Sequence, residues 1–241
     1  MKSDCLEFAE IPHSGQLFLD YLAQAPAATR FYGEQAPLTM PVAGRSPEQR
    51  ARIADILERQ NEAFGNSVQV SRNIARLREG ANVIVTGQQA GLFGGPLLAM
   101  LKTLTAIRLA EQSNAVPVFW IATTDHDLAE VDHVALVSDG KLHTLRVALE
   151  ATQGAMVSRA KIKSLTTDFA DGHGSGAGPT TDFAEGRGSG RELSIGVLGK
   201  IFPQADAEIL GILESAYCKG ERMGIAFARL WSHLFSRFGL L

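Results

Sequence analysis

The sequence predicts an α/β protein built on a parallel sheet and interrupted by an antiparallel and helical insertion. Three observations carry this expectation. First, Val83-Ile84-Val85-Thr86 and residues 117–122 are short, continuous apolar runs, the pattern of strands covered by helices on both sheet faces. Second, a glycine-rich turn, residues 87–95, follows the first run and leads into a helical pattern opened by Pro96. Residues 81–133 therefore read as one βαβ unit. Third, residues 134–137 and 142–147 read as two short strand runs, and Ser138-Asp139-Gly140-Lys141 joins them. Asp-Gly is a strong hairpin signal, so the chain leaves the parallel sheet there.

In chain order, residues 1–45 hold a short helical pattern at Leu17, Phe18, Tyr21 and Leu22. Ser46-Pro47 is a helix start, because serine caps free amides and proline is pre-set for the first helical position. That helix is expected to run to Gly65, and a second one from Ser67 to Arg78, stopping near Gly80. In the central helix Leu97, Leu101, Leu104 and Ile107 recur at helical spacing, and Asn114 ends it. Residues 166–176 recur almost unchanged as residues 180–190. Glycine, serine and acid without apolar period predict a mobile loop over 164–190. The repeat is similar to glycine-rich calcium nonapeptides, but that fold needs several stacked turns. Residues 206–217 and 223–238 are helical. The second carries Ile225, Phe227, Leu230, Trp231, Leu234, Phe235 and Phe238, wide enough to be buried on most sides. Gly239-Leu240-Leu241 reads as a helix stop and the start of a third sheet strand. The expected organisation is 1–133 for the first part of the core, 134–205 for the insertion and 206–241 for helices returning to the core.

Composition narrows the class. Of 241 residues, 45% are apolar and 20% charged, with a net charge of −3, which gives no electrostatic argument for nucleic acid or anionic membrane. No apolar run approaches a membrane span, and the N-terminal residues lack the apolar core of a signal peptide. Cys5 and Cys218 form no metal-type spacing, so a reduced, cytoplasmic setting is expected.

Polar groups collect just after each central strand: Gln88-Gln89 after the first, Thr123-Thr124-Asp125-His126-Asp127 after the second. Ligands of open α/β sheets bind outside the carboxyl ends of the strands, so the two clusters should share one site. The turn is neither a Walker loop, since Lys102-Thr103 lie deep in the helix, nor a dinucleotide fingerprint, since Gly87 is followed by two glutamines. Gly91, Gly94 and Gly95 nonetheless allow close backbone approach. The helix start offers amides and a positive dipole end to an anion. The alternative is a tight strand-to-helix turn with no ligand. Residues 124–127 allow a metal site, an acid/base set or a helix cap. Asp127 and Glu130 have capping-box spacing. His126 between two carboxylates would have its charged form favoured, and His133 would be its partner two helical turns on. Lys102 is a better candidate ligand than Arg108.

At these residues the sequence resembles the bacillithiol biosynthesis cysteine-adding enzymes, a family of cysteine ligases. The run Val85-Thr86-Gly87-Gln88-Gln89-Ala90-Gly91-Leu92-Phe93, then Gly95-Pro96-Leu97, Phe119-Trp120-Ile121-Ala122 and Asp125-His126-Asp127 with Glu130 carry the resemblance. Phe18-Leu19-Asp20-Tyr21-Leu22 and Ala226-Phe227-Ala228-Arg229-Leu230 extend it over nearly the whole chain except the repeat. It implies a Rossmann-like core similar to nucleotidylyltransferases, with inserted connective segments and a helical coiled coil that forms a homodimer. The implied reaction joins L-cysteine to glucosaminyl-malate by an amide bond, driven by ATP with Mg²⁺. Gly87, Gln88, Gln89, Gly91 and Thr124 are then expected to bind substrate or phosphate, with Asp125, His126 and Asp127 catalytic and no resident metal. Family members are longer, so the core is expected to be incomplete, with apolar faces exposed. The competing expectations are a nucleotidyl- or glycosyl-handling transferase on the same fold and a non-catalytic remnant.

Overall fold

A computed structural model describes residues 6–31, 44–138, 140–152, 154–168, 192–193, 199 and 205–241. They fall into two units, divided between Ala43 and Gly44. The first holds helices α1 (Gln16–Leu22) and α2 (Pro26–Thr29), with Phe8 set edge-on against Phe18.

The second unit opens with α3 (Pro47–Phe64) and α4 (Val68–Glu79). Ser46 accepts from the Gln49 amide while Gln49 reaches back to the Ser46 amide, a complete capping box. Ser67 caps α4, and Gly65 and Gly80 end the two helices in left-handed conformation. Then come β1 (Val83–Gln89), α5 (Leu97–Gln112) and β2 (Val116–Ala122). The strands pair in parallel, Gln88 beside Ile121 and Gln89 beside Ala122, so both carboxyl ends lie at one edge. Helix α6 (Leu128–Val131) is a single turn. Strands β3 (His133–Ser138), β4 (Lys141–Glu150), β5 (Lys161–Asp168) and β6 (Glu192–Leu193) form a separate antiparallel sheet in that order. Helices α7 (Ala207–Ala216) and α8 (Met223–Phe235) return to the parallel sheet. The fold is a Rossmann-like α/β core carrying an antiparallel insertion.

Two cores sandwich the parallel sheet. On one face Val116, Val118 and Leu241 meet Ala54, Val70, Ile74 and Leu77 of α3 and α4. On the other, Phe119 and Ile121 meet α5 and α8. There Phe227 and Trp231 stack at 4.3 Å, with Phe119 against both. Leu240 joins the second core and Leu241 the first, the alternation of a strand. Leu241 donates to the Pro117 carbonyl and accepts from the Phe119 amide. This is parallel-strand bonding on the far edge of β2, where a third strand was expected.

Several expectations change. The leucine stripe that marked α5 is not the face it buries. Leu97, Leu98, Leu101 and Leu104 are 71%, 61%, 53% and 47% exposed, while Ala99, Thr103, Ala106, Ile107 and Ala110 face the core. Small residues let the helix sit close to the sheet and to Trp231, whose indole N–H donates to the fully buried Thr103 hydroxyl. Coverage of the two strands is also partial, since Val85 and Trp120 are 57% and 67% exposed. The expected loop over 164–190 begins as β5, because residues 164–168 pair with β4; residues 169–190 lie outside the described part. Phe238, expected in the buried stripe of the last helix, follows α8 in a short 3₁₀ turn and is exposed.

Candidate functional site

Parallel pairing of β1 with β2 puts the two polar clusters within reach of each other, and Gln89 makes the join. Its Nε2 donates to Asp125 Oδ2 at 3.0 Å and to Glu130 Oε2 at 2.7 Å. Its Oε1 accepts from Gln88 Nε2 at 3.0 Å. Gln88 Oε1 in turn faces Lys102 Nζ at 3.2 Å, and that ammonium also donates to the Gly87 carbonyl at 2.7 Å. One row of side chains thus crosses the carboxyl end of the sheet from α5 to α6.

Asp125 is the hinge of the second cluster. Its Oδ1 accepts from the amides of His126 (2.6 Å) and Asp127 (3.1 Å), a side-chain turn that bends the chain out of β2. The Asp127 amide, then the Gln89 amide and the His126 amide hold its carboxyl below the usual range, because each bonds the charged form. Its carbonyl accepts from Val157, and that of Thr123 from Ser158, so the loop before β5 is docked beneath this turn.

The glycine turn is set from within. Gly91, Gly94 and Gly95 donate their amides to the carbonyls of Gln89, Gly91 and Leu92. Phe93 is left-handed at φ 52°, a strained conformation for a bulky residue, with its ring edge-on to Tyr217 at 5.2 Å. The Tyr217 hydroxyl donates to the Gly91 carbonyl at 3.1 Å and meets the amides of Phe93 and Gly94. Burial drives its ionisation well above the ordinary tyrosine value, the two amides offsetting only part of the shift. Gly87 is required by packing, since a Cβ there would lie 2.5 Å from the Trp120 carbonyl oxygen. At Gly91 a Cβ would meet the Gly95 Cα at 2.7 Å.

The expected site residues therefore separate. Gln88, Gln89 and Asp125 share one bonded row. Asp127 accepts from the Glu130 amide at 3.2 Å and caps α6. Its capping box stays half-formed, because the Glu130 carboxylate goes to Gln89 instead. His126 is exposed, and its ring has no hydrogen bond among the described residues. The helix that would have set His133 beside it ends at Val131; His133 opens β3 and pairs with Asp132 at 2.9 Å. Thr124 is exposed, with no side-chain bond among the described residues. Gly87 and Gly91 lie at the site but are explained by close packing. The amides of Gly91, Gly94 and Gly95 are bonded within the turn, which leaves the amides at the start of α5 as the donors an anion would meet there. Among the described residues no group of His, Cys, Asp and Glu is placed to hold a metal ion, and no helix is long and apolar enough to cross a membrane.

Residues 1–182 match the family model described as bacillithiol biosynthesis BshC, N-terminal Rossmann-like domain. The chain belongs to the BshC family. Relatives with the name "Putative cysteine ligase BshC" align along its full length. That of Koribacter versatilis is 37% identical, with 100% of this chain and 42% of the relative covered. That of Solibacter usitatus is 31% identical with the same coverage, and that of Chloroherpeton thalassium is 30% identical over 100% of this chain and 43% of its own. The chain thus spans less than half the length of these curated relatives. Two contacts are not visible in the motifs: the bond of Glu130 to Gln89, which its capping-box spacing conceals, and that of Tyr217, the residue after α7, to the glycine turn.

Proposed function

We propose that this chain serves bacillithiol biosynthesis as the N-terminal part of a cysteine ligase, which joins the carboxyl of L-cysteine to the amine of glucosaminyl-malate. The observation that supports this reading is the row Lys102–Gln88–Gln89–Asp125/Glu130 across the carboxyl end of a Rossmann-like sheet, in a chain of the BshC family. Two uncharged amides backed by fixed charges suit a small substrate rich in hydroxyl, amine and carboxyl groups. In this reading Gln88 and Gln89 orient the substrate. Asp125 holds the turn that carries His126, whose free ring is available to a bound amine. Forming the amide takes a proton from the amine and a leaving group from an activated cysteine carboxyl. ATP with Mg²⁺ is the proposed energy source, bound by residues other than the closed glycine turn, and a homodimer is the proposed assembly.

The test is mass spectrometry of product from this chain, alone and mixed with the remaining C-terminal part of the Koribacter versatilis relative, with both substrates, ATP and Mg²⁺. Amide product from either preparation is the expected result, reduced at least about tenfold by Gln89→Leu, a loss of about 1.4 kcal/mol in transition-state binding. No product from the mixture, with both parts folded, overturns the ligase reading.

A further inference from the structure

We infer that Lys102 and Glu130 are positioning residues that fix the orientation of the Gln88 and Gln89 amides as one head-to-tail unit. The argument rests on what each group can do. An ammonium has donors only, so the end of Gln88 that faces Lys102 Nζ at 3.2 Å must be its oxygen. That choice turns Gln88 Nε2 toward Gln89, 3.0 Å away, where it requires the oxygen of the second amide. Gln89 then presents Nε2 to the far end of the row. Two carboxylates wait there, Asp125 Oδ2 at 3.0 Å and Glu130 Oε2 at 2.7 Å, and ionised carboxylates only accept. A cation at one end and anions at the other therefore dictate the same polarity. Flipping either amide alone would set N–H against N–H or oxygen against oxygen.

The row also determines what the amides have left to offer. Gln89 spends both Nε2 protons on the carboxylates, while one Gln88 proton and one lone pair on each amide oxygen stay available. A ligand on this row would meet a preset pattern of one donor and two acceptors, with no reorientation needed on binding. Lys102 also donates to the Gly87 carbonyl at 2.7 Å, tying α5 to β1, so a loss of function in a Lys102 variant would not separate positioning from structure. The far amide does separate them.

The inference extends the proposed site, but its test needs no turnover, so failure of the ligase reading leaves it standing. The experiment is NMR of the full chain with Gln88 and Gln89 side-chain amides assigned, comparing Lys102→Met, Lys102→Arg and Glu130→Ala. In Glu130→Ala, the Gln88 amide, which does not touch residue 130, is expected to shift and exchange about three- to tenfold faster, the range one hydrogen bond supports. In Lys102→Met the Gln89 amide, which does not touch residue 102, is expected to respond in the same way. Lys102→Arg restores both signals to wild-type positions, since arginine also has donors only. Glu130 is exposed, and its variant keeps the inference testable should Lys102→Met unfold. If each variant moves only the amide it touches, the row is a set of independent contacts and the inference is overturned.

Discussion

The two turns at the carboxyl end of the sheet are built in opposite ways. The turn after β1 is locked from inside. Leu92 and Gly94 are buried, Gly94 lies under Trp231, and Tyr217 threads its hydroxyl into the backbone. The turn after β2 is held from outside by the carboxylate of Asp125 and the amide of Gln89. The first is a scaffold whose shape is decided by packing. The second is a polar surface whose shape is decided by hydrogen bonds that water can compete for. Preorganised sites need both, a rigid support and groups that can still meet a ligand.

The largest effect is expected where packing and backbone strain coincide. A Cβ on Gly94 would lie 2.6 Å from Trp231 Cζ3 at a φ of +97°. Gly94→Ala should cost about 2–5 kcal/mol by urea denaturation; a change under about 1 kcal/mol would show that the turn is not locked from within.

Next is Tyr217→Phe, which keeps the ring and deletes the hydroxyl. It removes one of the two donors to the Gly91 carbonyl, which keeps the Gly94 amide, and the hydroxyl's contact with the Phe93 amide, a loss of about 1 kcal/mol. The pH dependence sharpens the comparison. The phenol ionises higher in the folded chain than in the unfolded one. Its stabilisation is therefore complete below the ordinary tyrosine value of about 10 and is lost as pH rises above it. Denaturation midpoints followed from pH 8 upward should fall in the wild type and fall less in the phenylalanine variant.

The smallest effect belongs to the second turn and has the opposite pH sign. The folded carboxyl of Asp125 titrates below its unfolded value. Its contribution is present above the ordinary aspartate value of about 3.9 and is lost as pH falls through the lower folded one. An NMR titration should show the Asp127 amide, the main cause of the shift, following the Asp125 carboxyl, while the Gly94 amide does not move. Joint movement would erase the distinction between the turns.

Much of this was legible because local signals agreed. Ser46-Pro47, the glycines that end α3 and α4, and the apolar runs of β1 and β2 each state their structure within a few residues. The juxtaposition of Gln88-Gln89 with residues 123–127 followed from parallel pairing alone. What stayed hidden depends on distant partners. Leucines at helical spacing and alanines at helical spacing are equally periodic. Only Trp231, more than a hundred residues away, decides that the small face of α5 turns inward. Glu130 fits a capping box in sequence and is drawn off by Gln89, 41 residues earlier. β5 was obscured because its Thr-Thr-Asp end belongs to the repeated segment, and its pairing is set by β4.

The stitching of the C-terminal segment to α3 and α4 has a kinetic consequence. Ser67 Oγ donates to the Ser236 carbonyl, Ser232 Oγ to that of Gly65, and Asn73 Nδ2 to that of Gly239, across 169, 167 and 166 residues. At a synthesis rate of about 5–20 residues per second, α4 waits roughly 8–33 s on the ribosome before its partner exists. During that interval Val70, Ile74 and Leu77 lack Leu241, their neighbour in the finished core, and loop closure over such a span makes the final docking slow. Helices α3 and α4, made before the sheet they cover, are thus among the last elements to be secured.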